Sequence, residues 1–194
     1  MVKWQKKFSI GVQALDEQHK ILFRFINEIN MAVKLNRGEK IVRNIISGLI
    51  DYCVYHFQCE EQIFDDYKYP GEKQHIFAHD PFVEKVLFIQ AQVENNLITV
   101  GHELMQFLIN WLSDHILTSD KKYGIWLINN RKFMEDYRDN NIKAFAQYYE
   151  IFKDDDTIPV ISWDPDYILK FSDLGSELRK ENIIERKSWL HCSF

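Results

Sequence analysis

Apolar residues recur at three- and four-residue spacing in four successive stretches, and a turn signal closes each of the first three. The first stretch carries His19, Leu22, Phe23, Ile26, Ile29 and Val33, a single inward stripe ended by Asn36-Arg37-Gly38. The second carries Ile46, Leu49, Ile50, Cys53, His56, Phe57, Glu60, Ile63 and Phe64, and Pro70-Gly71 stops it. The third shows His75, His79, Phe82, Val83, Val86 and Ile89 before Asn95-Asn96. The fourth shows Leu104, Leu108, Trp111, Leu112 and His115. Pro81 inside the third stretch predicts a kink or a shifted helix start.

Before the first stretch, Trp4, Phe8, Ile10 and Val12 surround Gly11 and predict an extended arm laid over the bundle. Asp16 is placed to cap the helix that follows. After Asp120, the apolar run Tyr123–Ile128 is expected to complete the bundle. Residues 132–152 look helical, with Phe133, Tyr137, Ile142, Phe145 and Tyr149 among many charges. Asp154-Asp155-Asp156-Thr157 reads as a linker. The fold class is therefore all-α: an up-down four-helix bundle over residues 1–131 with an N-terminal arm, and a C-terminal helical extension over 132–194.

Composition narrows the function. A chain of 194 residues with 46% hydrophobic residues supports a packed core. The net charge of −5, with Lys and Arg scattered, offers no basic stripe, so no nucleic acid partner is expected. No run approaches the roughly 20 apolar residues of a membrane span, and no membrane insertion is expected. The N-terminus lacks the apolar region of a signal peptide. Cys53, Cys59 and Cys192 are an odd count with no C-x-x-C, which fits reduced thiols in the cytoplasm.

The chemistry lies in one interrupted string of metal-ligand residues. Of seven histidines, five fall in it: His19, His56, His75, His79 and His115, joined by Glu60 and Asp120. Residues four apart share one helix face, so His56 with Glu60, and His75 with His79, each aim two ligand atoms at one point. His115 and Asp120 are five apart, about 140° around a regular helix, which predicts a distortion or a helix end between them. Imidazole with carboxylate suits iron, manganese or zinc. A structural zinc site is satisfied by about four ligands, so seven converging groups suit two ions. If Glu60 and Asp120 both bridge, with an oxide or hydroxide between the metals, three histidines complete one ion. Two histidines leave the other with an open position for a small molecule. His102 and His191 fall outside the pattern.

These residues resemble the hemerythrin family, in particular its bacterial single-domain members, over about residues 1–131. The likeness rests on Trp4, Asp16-Glu17-Gln18-His19, His56-Phe57-x-x-Glu60-Glu61, His75-x-x-x-His79, and Trp111-Leu112-x-x-His115-Ile116-x-x-x-Asp120-x-x-Tyr123. The resemblance implies a non-haem protein with two iron ions and an oxo or hydroxo bridge that binds dioxygen reversibly. It implies His75, His79 and His115 on one iron, His19 and His56 on the other, and Glu60 and Asp120 bridging. Asp80-Pro81 departs from what the family leads one to expect.

Apolar Phe57, Trp111, Leu112 and Ile116 beside the ligands are the expected dioxygen pocket, where dryness would slow oxidation of the irons. The expected role is oxygen carrier, store or supplier, and not an enzyme. The alternatives are an oxygen or redox sensor acting on a protein partner through 132–194, and a di-iron enzyme such as a peroxidase. Such enzymes tend to use more carboxylates than this histidine-rich set offers. In the tail, Ile161-Ser162-Trp163-Asp164-Pro165-Asp166-Tyr167 is similar to the start of a second hemerythrin-like domain. A shift of 159 residues sets Trp163 on Trp4 but Leu178 on His19, so a truncated repeat or a docking segment is expected, without a second metal site.

Overall fold

The computed structural model describes residues 2–94 and 102–145. The described elements are all helical: α1 (Gln13–Lys34), α2 (Glu39–Tyr67), α3 (Glu72–Glu94), α4 (His102–His115), α5 (Lys121–Asn129) and α6 (Arg131–Arg138). A short 3-10 turn, Lys6–Phe8, precedes them. A π-helical segment, Ile116–Asp120, joins α4 to α5, so 102–129 is one continuous rod. The α1/α2, α2/α3, α3/α4 and α1/α4 pairs pack together, which closes a four-helix bundle.

The amphipathic stripes account for that closure. Phe25, Ile26 and Ile29 of α1, Ile45, Leu49 and Ile63 of α2, Phe82, Val86 and Ile89 of α3, and Leu108 and Leu112 of the fourth rod are all buried in one core. The arm covers one side of this core, with Phe8, Ile10 and Val12 buried. It packs so closely on α5 that a Cβ at Gly124 would stand 2.5 Å from the Ile10 carbonyl oxygen. Only glycine fits that approach.

Three sequence expectations change, the first being the helix read over 132–152, which stops at Arg138. Asp16 does not cap α1, which starts at Gln13 with Val12 at the cap position and no side-chain cap. From the first turn its carboxylate reaches back to the arm, accepting from the Ile10 N–H at 2.8 Å and the Ser9 hydroxyl at 2.6 Å. Pro81 does not shift the start of α3, which begins nine residues before it and runs on to Glu94. The proline ring is on the exposed side.

The core does not stop at residue 131. Phe133, Ile142 and Ala144 are buried against it, and the Tyr67 hydroxyl of α2 donates to Asp136 Oδ2 of α6 at 2.8 Å. The Trp163 segment, Ile183-Ile184, Trp189-Leu190, Cys192 and His191 lie outside the described residues, as does Tyr149. No helix among the described residues is long and apolar enough to cross a membrane.

Candidate metal centre

All five histidines and both carboxylates converge in the bundle core, and none is more than 6% exposed. His19 comes from α1, His56 and Glu60 from α2, and His75 and His79 from α3; His115 ends α4 and Asp120 ends the π segment. Ligand atoms of Glu60, His75, His79 and His115 lie within 4.8 Å of one another, as do those of His19, His56 and Glu60.

The two carboxylates join these groups. Glu60 Oε2 is 3.3 Å from both His75 Nε2 and His79 Nε2. Glu60 Oε1 is 3.5 Å from His56 Nε2 and 4.0 Å from His19 Nε2. Asp120 Oδ1 lies 3.0 Å from His115 Nε2 and 3.5 Å from His75 Nε2, while Oδ2 lies 3.1 Å from His19 Nε2. Each carboxylate thus offers one oxygen to the His75/His79/His115 group and the other to the His19/His56 group.

The π segment makes the second carboxylate possible. Residues five apart fall on one face of a π turn, so His115 and Asp120 meet despite a spacing that a regular helix would splay. The Thr118 hydroxyl bonds the Asp114 carbonyl at 2.7 Å beside this distortion.

Electrostatics prepare the cluster for a cation. Burial pulls the His56 pKa down to about 3, and burial also lowers that of His79, so both rings are neutral at pH 7. Burial works against charge on Glu60 and Asp120, but the imidazoles outweigh it and hold both carboxyls below their ordinary range. His56 leads for Glu60, and His115 leads for Asp120. For His115, burial is outweighed by Asp120 and the pKa rises. Both Asp120 oxygens, both ring nitrogens of His19 and Nδ1 of His79 are buried without a directed hydrogen bond. Orphaned buried polar atoms are costly, and a cation among the donors would satisfy those that face the cluster. The residues therefore fit a metal.

Aromatic rings wall the centre. Phe57 stacks on His79, with centroids 3.8 Å apart, and Trp111 stacks on His115 at 4.5 Å. Leu112 and Ile116 are buried on the same rod. Phe82, not singled out from the sequence as a pocket residue, packs against Trp111 at 4.4 Å and edge-on to Phe57. Two polar supports were also missed. The Tyr123 hydroxyl donates to Glu60 Oε1 at 2.6 Å, and Gln18 Oε1 meets His56 Nδ1 at 2.8 Å. The available signals were Tyr123 one turn beyond Asp120, and Gln18 in register with Leu15 and Leu22.

A helical bundle with imidazoles and carboxylates gathered in its core is a metal-binding bundle protein by fold and donor set. Comparison with known proteins agrees. The family described as "Hemerythrin HHE cation binding domain" matches residues 10–127. A hemerythrin-like protein of Naegleria gruberi is 36% identical over 120 residues, covering 62% of this chain and 88% of its own. A bacteriohemerythrin of Pseudomonas aeruginosa is 30% identical over 120 residues, covering 62% and 77%. The crystal structure of a wild-type hemerythrin superposes with a TM-score of 0.61 at 27% identity, over 64% of this chain and 95% of that one. The chain belongs to the hemerythrin family. The family and the His/Glu cluster together support a metal cofactor, iron in kind, in a non-haem oxygen-binding domain.

Proposed function

We propose that this domain binds dioxygen reversibly at a di-iron centre, as a carrier, store or supplier rather than an enzyme. The observation that carries the reading is the split of each carboxylate between the two histidine groups. His75, His79 and His115 would hold one iron, His19 and His56 the other, and Glu60 and Asp120 would bridge them, with an oxo or hydroxo group completing the pair. The irons, when bound, supply the electrons and the open position that dioxygen needs.

The chain's own residues do the rest. Tyr123 holds one Glu60 oxygen in place and keeps its proton, because burial and then the Glu60 charge raise its pKa. Gln18 accepts from His56 Nδ1, which leaves the Nε2 lone pair facing the cluster. Phe57, Trp111, Leu112 and Ile116 would keep water from the open side. The free, buried thiols of Cys53 and Cys59 suit a cytoplasmic setting.

The test is iron content together with visible absorption while purified protein is cycled between argon and air. Two irons per chain and a colour that comes in air and fades in argon are the expected result. Irreversible bleaching or turnover of peroxide would replace this reading with a di-iron enzyme. A single zinc, or no metal, would overturn it.

A further inference from the structure

The segment that follows α6 is linked to the metal centre through a chain of buried side chains. The Cys59 thiol donates to the Ala144 carbonyl, with sulfur and oxygen 3.5 Å apart. Gln18 Nε2 donates to Cys59 Sγ at 3.4 Å. Gln18 Oε1 in turn meets His56 Nδ1 at 2.8 Å. The chain runs from residue 144, beyond the matched span of 10–127, to a ring of the metal cluster.

With the Gln18 oxygen toward His56 and its nitrogen toward Cys59, the protons in these links follow. A carboxamide oxygen only accepts, so His56 Nδ1 carries the hydrogen and donates. A carboxamide nitrogen only donates, so Cys59 sulfur accepts from Gln18 and its own hydrogen is directed to Ala144. If the 142–145 segment left, the thiol hydrogen would lose its acceptor, and the orientation of Gln18 would lose its support.

The segment is also seated by packing. Ile142 and Ala144 are buried, Phe145 meets Tyr137 edge-on at 5.9 Å, and the Phe145 N–H bonds the Ile142 carbonyl at 3.0 Å. Sulfur is a weak donor and a weak acceptor, so the two sulfur links can open without unfolding the bundle.

We propose that residues 142–145 are energetically coupled to the two-histidine side of the metal centre, with Gln18 and Cys59 as the positioning residues between them. Metal binding fixes His56, and the fixed ring tightens the segment. By reciprocity, the seated segment favours the metal-bound orientation of His56. This rests on the metal reading of the cluster and not on what the metal binds.

The experiment is backbone hydrogen exchange at residues 142–145 in the full-length chain. Metal-free protein is compared with protein loaded with ferrous iron under argon, and iron per chain is measured on each sample. Iron should slow exchange there by roughly fivefold or more, the lower end of ordinary coupling between sites. At matched iron content, Cys59→Ala should abolish the slowing, and Cys59→Ser, which keeps a donor and an acceptor, should retain it. Gln18→Met removes the other link at similar volume and serves if Cys59→Ala does not fold. Iron bound with unchanged exchange at 142–145, or the same slowing in the variants that cut the chain, overturns this inference alone. Absence of bound iron overturns the metal reading and this inference with it.

Discussion

Tyr123 and Glu60 meet across the bundle core at 2.6 Å, a phenol donating to a carboxylate with both groups fully buried. This bond fixes one Glu60 oxygen on the side of His19 and His56, leaving the other for His75 and His79. Tyr123→Phe removes the donor and little else. A hydrogen bond to a charged group contributes about 1.5–3 kcal/mol, so the metal-free protein should lose about that much in a denaturant titration. Loss of such an outer support typically weakens metal binding by roughly 10–100-fold. A chelator competition should show iron leaving the variant first. Equal retention would mean that Glu60 is held well enough by its histidines.

Acid should loosen the metal-free bundle. The folded pKa values of His56 and His79 lie below those of the unfolded chain. As pH falls through about 6.5, the unfolded state therefore binds protons that the folded state does not, and stability drops. His115, shifted upward, holds its proton in both states below that point and drops out, whereas Glu61, raised to about 7 by burial, takes up a proton in the folded state alone and opposes one of the two. The net of one proton gives a loss of roughly 1.4 kcal/mol per pH unit below that point. Glu60 and Asp120, held low, add to the loss only once pH falls into the carboxylate range. Denaturant midpoints of metal-free protein from pH 7 to pH 5 check this, and a flat profile would contradict it.

Much of the site was legible because its residues are rare and regularly placed. Five of seven histidines sit on inward stripes, and four-residue spacing needs no knowledge of the fold to be interpreted. The five-residue gap from His115 to Asp120 signalled a break in the helix, but not that the break is a π turn inside a continuous rod. Asp16 was misplaced because a first-turn carboxylate can cap or reach backward, and the arm's path decides which. Gln18 and Cys59 gave no signal of their link, since they are 41 residues apart and are neighbours only after α1 packs on α2. Pro81 was expected to kink α3 or shift its start; the start lies nine residues earlier and the helix continues past the exposed ring.

Asp120 is the one group whose oxygens reach His19 on one side and His115 and His75 on the other from the fourth rod. Asp120→Asn keeps the size and loses the charge. Glu60 can still serve its neighbours, so iron per chain should fall from two to one or fewer while the helical signal stays. Two irons retained in the variant would show that Asp120 does not bridge.

The pocket prediction separates packing from function. Trp111 stacks on His115 and is partly exposed, whereas Ile116 is fully buried one residue beyond that ligand. Trp111→Ala opens a path for water beside the ring. Ile116→Glu brings a carboxyl and its proton into the dry side. If these residues protect the centre, both changes should raise the rate at which oxygenated protein converts to its oxidised, oxygen-free form, by roughly tenfold or more. Plain packing makes a different forecast: thermal stability would fall, and the oxidation rate of the protein that remains folded would not change. Absorption decay in air, measured well below the unfolding temperature of each variant, distinguishes the two. An unchanged decay rate in both variants would remove Trp111 and Ile116 from the proposed dioxygen pocket.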